Sequence, residues 1–215
     1  MILRLVSFFI FSVALFTLSA CSSIGTEKND ENESNKSENN ELRIAVTAQP
    51  ETLDNHITTA TMASDIGRNI FETLVTLNSD YQPVPMLAET VEKSDDGKTY
   101  TFHLREGVKF HNGKELTSED VVASMNRWVD KAGDEDLKSG GAFEEIDSHT
   151  VVLKLKQPMS DILDIMADRT QFPSIMPKEV VESSSSKGVT EYIGTGPFKF
   201  VEWKQDQDIH LAKVE

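Results

Sequence analysis

Cysteine is nearly absent: Cys21 stands alone in 215 residues, so no disulfide can form within the chain. Basic residues are also few. The 21 Lys and Arg against 36 Asp and Glu leave a formal charge of −15, which argues against nucleic acid or anionic lipid as a partner. No apolar run follows Cys21, so nothing beyond it is expected to enter a membrane, and no internal repeat is visible. The histidines His56, His103, His111, His149 and His210 are scattered, with no pair at the spacing of a helical metal site. Each is expected at the surface or in a turn. Gly107 to Gly113-Lys114 departs from a phosphate loop, because Glu115 stands where Ser or Thr must meet magnesium. Gly194-Thr195-Gly196 runs into Pro197 and a strand, where a dinucleotide site needs a helix. Ser184 and Lys187 have the spacing of a β-lactamase pair, but no Ser-Asp-Asn or Lys-Thr-Gly follows. No two acids pair convincingly for proton transfer. The sequence predicts neither an enzyme nor a cofactor.

What is present begins with an export signal. Arg4 precedes an apolar stretch from Leu5 to Leu18 that is too short to span a bilayer, and small residues close it. Leu18-Ser19-Ala20-Cys21 resembles the bacterial lipobox, which implies cleavage before Cys21 and a lipid on its thiol. Residues 1–20 are thus predicted to be a signal peptide. Residues 21–41 form a lipidated cysteine followed by an acidic linker. After Thr26 that linker carries six acids and two lysines, with too little apolar surface to offset the entropy of ordering.

From Leu42 the patterns are those of a folded α/β chain. Leu42 to Thr47 alternates as a strand, and Met62, Ile66, Ile70, Phe71 and Leu74 predict a helix from about Thr61 to Val75. Asn78-Ser79-Asp80 is a turn, and Pro83 and Pro85 keep the chain extended. Asp95 to Lys98 turns into a strand with Tyr100, Phe102 and Leu104 on one face. A second turn, His111 to Lys114, leads to a helix predicted to be capped by Thr117, with Val121, Val122, Met125, Trp128 and Val129 as its apolar face. Lys131 to Gly141 reads as a charged loop, Val151 to Leu155 as a strand, and Ser160 as the cap of a helix through Met166. Ser183 to Gly188 reads as a polar loop. Two strands around Gln205-Asp206-Gln207 follow, carrying Phe198, Phe200, Trp203, Ile209 and Leu211.

Thr99 to Trp128, TYTFHLREGVKFHNGKELTSEDVVASMNRW, resembles the family 5 solute-binding proteins of ABC importers, the group of oligopeptide, dipeptide and nickel receptors. LDNH at Leu53, IFETLV at Ile70, PMLAE at Pro85 and GTGPFKFVEW at Gly194 extend the resemblance across the folded part. It implies a periplasmic-binding-protein type II-like α/β fold. Residues 42–78 and 189–215 would belong to the first lobe, and residues 79–188 to a subdomain inserted in it. Family members run more than twice this length, so the second lobe is expected to be missing, as in a truncated gene or half of a split one. A lone first lobe would leave strand edges bare and is expected to be unstable or inactive.

The resemblance further implies a monomeric receptor, anchored on the outer face of a cell membrane, that passes an oligopeptide or dipeptide to permease subunits. A Gram-positive surface is favoured, and the periplasmic side is the alternative. Nickel or a nickel chelate is the alternative ligand. A surface lipoprotein without transport activity, or an inactive gene remnant, is the reading from a different class. By family position Thr58, Thr61, Met62 and Arg169 are the expected ligand contacts.

Overall fold

The computed structural model describes residues 41–131, 135–170 and 172–215. The predicted signal segment, Cys21 and the linker before Glu41 lie outside the described residues. From Ile44 onward the chain forms one compact unit.

Residues 41–50 contain no strand, and Ile44 and Val46 are 75% and 51% exposed. This corrects the strand expected at Leu42 to Thr47. Alternation supplies a face, but a strand also needs a neighbour for its N–H and C=O groups, and no described strand pairs here. Gln49, beyond this segment, is held by the side chain of Gln205 and the N–H of Asp206.

Helix α1 (Thr61–Ile70) is shorter than its apolar spacing predicts. Its buried positions are Ala63, Ser64, Gly67 and Ile70, while Met62 and Ile66 are half-buried. It stops where other segments claim the backbone. The N–H of Gly196 donates to the Ile70 carbonyl (2.9 Å), and Thr73 and Leu74 accept from Leu87 and from Met86 and Ala88. Gly196 is required there, because a Cβ would sit 2.7 Å from the Asn69 carbonyl oxygen.

Strands β1 (Val75–Leu77) and β2 (Pro83–Pro85) form a hairpin whose turn holds Tyr81 at φ 59°. Strands β3 (Ala88–Lys93) and β4 (Thr99–Leu104) follow, with Gly97 at φ 66° in their turn. Helix α2 (Ser118–Lys131) begins with Asp120 reaching back to the N–H and hydroxyl of Thr117, at 3.1 and 3.0 Å. Thr117 therefore donates to the acid, where it was expected to accept from helix amides. The loop predicted from Lys131 to Gly141 instead contains a short helix α3 (Glu135–Gly140), and strand β5 (Gly141–Asp147) begins at its end and pairs with β6 (Thr150–Leu155).

The four strands are ordered β3-β4-β6-β5, all antiparallel. Tyr100 opposite Leu153 and Phe102 opposite Val151 turn one face towards α2, where Val121, Met125 and Trp128 are fully buried. Fully burying one such side chain contributes about 1.5–3 kcal/mol, so this face is the principal source of stability in the sheet. Helix α4 (Ile162–Ala167) follows, without a side-chain cap. The expected cap, Ser160, lies outside it. Helix α5 (Lys178–Glu182) comes next, and strands β7 (Phe198–Lys204) and β8 (Asp208–Lys213) form the last hairpin, as predicted. A second apolar cluster joins Leu53, Ile70, Phe71, Phe172, Met176 and Val189, with Phe200 and Trp203 packed against it.

Candidate ligand-binding site

Charge is buried most deeply around the Leu53 to His56 bend, a natural place to look for chemistry. The Asp54 carboxylate accepts from both terminal nitrogens of Arg127 (3.0 and 2.6 Å), from the N–H of His56 (3.1 Å) and from that of Val189 (2.9 Å). Burial opposes its charge, but the Arg127 hydrogen bonds, with help from His56 and Val189, bring its pKa below the ordinary value. His56 lies in a turn, as expected, but is fully buried, and its Nε2 donates to the Ser174 carbonyl at 2.9 Å. Burial pushes its pKa down to about 4, Arg127 adds to the effect, and Asp54 opposes it. Every acceptor position of Asp54 is filled and the group is closed to solvent. This is a structural staple, and no substrate can reach it.

Asp120 is similar. It accepts from Lys114 Nζ (2.6 Å) and the Lys178 N–H (2.8 Å), which ties the start of α2 to α5. Among the described residues no group of three or more His, Cys, Asp or Glu is placed to hold a metal ion.

Two hollows remain. The larger, about 490 Å³, lies between the end of β6 and the start of α4, and its lysine, Lys156, is already committed to the Ser139 carbonyl. The smaller, about 250 Å³, is built from four short segments: Arg68 and Phe71 at the end of α1, Thr73 and Thr76 around β1, Met86, and Ala167, Arg169 and Phe172 at and beyond the end of α4. Phe71 and Phe172 are nearly buried, so its wall is apolar. The Thr73 hydroxyl donates to the Val75 carbonyl at 2.6 Å. The Arg68 guanidinium is bonded to Asp65, and its Nε to the Ser64 carbonyl. Arg169 is exposed and has no hydrogen-bond or ion-pair partner among the described residues. An unspent guanidinium beside aromatic walls can hold an anionic or polar group while apolar atoms settle against the rings.

Of the expected contacts, Arg169 lines this hollow, and Thr58, Thr61 and Met62 do not. Thr58 Oγ1 caps the Ala60 N–H at 3.2 Å, just before α1. Thr61 is exposed at the first position of α1, two helical turns before Arg68 and on the same face, about 10 Å away along the axis. Met62 is half-buried beside it. Arg68, Phe71 and Met86 were not among the expected contacts. Arg68 reads in sequence only as a basic residue in a last helical turn.

The profile of the bacterial extracellular solute-binding proteins, family 5 (middle) matches residues 82–215, more than half of the chain. The chain belongs to that family, which is one of binding proteins and not of enzymes. The dipeptide-binding protein of Escherichia coli K12 is 36% identical over 158 residues, 61% of this chain and 29% of that one. Oligopeptide-binding protein OppA of Bacillus subtilis is 29% identical over 221 residues, 93% of this chain and 41% of that one. Among solved structures, AppA of Bacillus subtilis in complex with a nonapeptide superposes with a TM-score of 0.67 at 29% identity, over 78% of this chain and 35% of that one. AgaA of A. tumefacien R10 in complex with agropinic acid gives a TM-score of 0.68 at 33% identity, over 77% and 34%. The fold is therefore the α/β fold of these binding proteins, and the chain spans roughly a third of the length of the relatives it matches.

Proposed function

We propose that the chain acts in the capture of oligopeptides or dipeptides for an ABC importer and works as a monomer beside membrane permease subunits. The observation that carries this reading is the family match, with relatives named as dipeptide- and oligopeptide-binding proteins. Residues 42–78 and 189–215 serve as the first lobe, and residues 79–188 as the subdomain inserted in it. Thr58, Thr61, Met62 and Arg169 contact the ligand, which enters over the exposed face of α1. Cys21 carries the lipid that keeps the protein on the outer face of the membrane. No helix among the described residues is long and apolar enough to cross a bilayer; what supports the anchor is the lipobox-like Leu18-Ser19-Ala20-Cys21.

Calorimetric titration of the full chain with defined di- and oligopeptides, and with Ni²⁺ in parallel, tests the ligand. Peptide binding is expected, with weaker binding for Thr61→Ala and Arg169→Ala. Binding of Ni²⁺ and of no peptide would overturn the peptide reading. Metabolic labelling with a radioactive fatty acid tests the anchor: label is expected in the wild type and lost in Cys21→Ser.

A further inference from the structure

The hollow at the end of α1 has a sharper chemistry than general ligand contact. We propose that it is a carboxylate subsite, in which Arg169 pairs with the anion, Arg68 adds a second donor, and Phe71, Met86 and Phe172 receive the apolar part of the same ligand residue. This rests on the reading of the protein as a peptide receptor and names what that receptor selects.

Charge comes first. The chain carries a formal −15, so a cation without a counter-ion is a local exception. Asp65 already neutralises Arg68, whose Nη1 nevertheless carries no bond, and nothing among the described residues neutralises Arg169. The neighbouring Asp168 is occupied elsewhere, accepting from the N–H of Thr170 at 2.6 Å and from its hydroxyl. The hollow therefore holds about one net positive charge. A planar guanidinium with its donors free matches the two oxygens of a carboxylate.

Size comes second. A site for a whole drug-sized ligand occupies about 300–1,000 Å³. At about 250 Å³ this one takes a single group and not a whole peptide. Polarity comes third. The Thr73 hydroxyl proton is spent on Val75, so the hollow's charged donors are the two arginines, the Thr76 hydroxyl adds a neutral one, and the remaining wall is aromatic, thioether and methyl. A neutral amide would waste the arginine, and a cation would be repelled. The fitting group is an apolar residue bearing its own α-carboxylate, or an acidic side chain.

Three small probes separate these cases: N-acetyl-leucine, N-acetyl-leucinamide, and N-acetyl-glutamate amidated at its α-carboxyl. Each is titrated against the full chain by NMR or calorimetry, and peptides are titrated in a separate series. At least one carboxylate probe should bind about 10- to 100-fold more tightly than the leucinamide, the range expected for a hydrogen bond to a charged group. Arg169→Gln should erase that preference and Arg169→Lys should keep part of it. Arg169 is exposed, so both variants should unfold at the wild-type temperature. Preference for N-acetyl-leucine assigns the main-chain carboxylate, and preference for the glutamate probe assigns the side chain. Equal binding of amide and carboxylates, no binding of any probe, or a preference that survives Arg169→Gln would each overturn the subsite. Peptide binding without carboxylate preference sinks the subsite and leaves the receptor reading standing. Carboxylate preference without peptide binding does the reverse.

Discussion

Arg127→Ala removes a guanidinium from a place that water barely reaches. The Arg127 side chain is 7% exposed and that of Asp54 is fully buried. In the variant Asp54 keeps the His56 and Val189 amides and loses two charged donors, leaving an anion without its counter-ion. Breaking a buried pair in this way costs about 3–5 kcal/mol. An exposed pair costs about 0.2–1 kcal/mol. Burial places this pair in the first group, so the loss should be a large part of a domain's usual total of about 5–15 kcal/mol. Urea unfolding of the full chain, followed by tryptophan fluorescence, reads the loss as a lower midpoint at unchanged slope. The double variant Asp54→Asn with Arg127→Met removes both charges and should be no less stable than Arg127→Ala alone. A loss under about 1 kcal/mol for Arg127→Ala, or simple additivity in the double variant, would refute this account of the staple.

Three further perturbations probe the same frame. His56 titrates at about 4 when folded and near 6.5 when unfolded, so the unfolded chain binds more protons between these values. Its share of stability is full above about pH 6.5 and lost as the pH falls towards 4, and the lowered pKa of Asp54 adds a loss at still lower pH. His56→Gln should flatten the upper part of that slope in urea titrations run across pH; an unchanged slope would assign it to other groups. Gly67→Ala should lower stability despite the helix preference for alanine of about 1 kcal/mol, because the new Cβ would overlap Asn55 Nδ2. Adding Asn55→Ala should restore most of the loss, and a more stable single variant would refute the clash. Asp120→Asn loses acceptors for Lys114, Lys178 or Thr117 and should cost about 2–3 kcal/mol, or a fall in Tm of roughly 4–12 °C by calorimetry. A shift under about 2 °C would show that the contacts between α2 and α5 carry little energy.

Strands β4 and β6 and helix α2 were legible because each carries buried apolar residues at its own spacing and a turn signal beside it, and the β7–β8 hairpin was legible because half-buried Phe200, Trp203, Ile209 and Leu211 flank its turn. Strands β3 and β5 were not, because they are the edges of the sheet. Their Glu89, Glu92, Glu144 and Glu145 are exposed, and edge strands carry such charges against unwanted pairing, which hides the alternation. The end of α1 was misjudged because Phe71 and Leu74 continue a helical spacing, while the segment that stops the helix, Gly194 to Gly196, lies far along the chain. His56 is the turn residue it looked like, but its burial was hidden for a related reason. Its burial depends on Arg127 and Ser174, and local sequence does not contain them. At the candidate site, Arg169 could be picked by family position, but Arg68, Phe71 and Met86 join it only through folding.

The Asp54 staple also dictates an order of events. Its partners lie 73 and 135 residues downstream, at Arg127 and Val189. While the chain is made from its N-terminus, Asp54 has only the nearby His56 N–H until Arg127 emerges, and the clasp is not complete until Val189 follows. Closing loops of that length costs entropy before any contact repays it. The Leu53 to His56 bend should thus be among the last parts to set, leaving the growing chain loose and threadable until late in its synthesis.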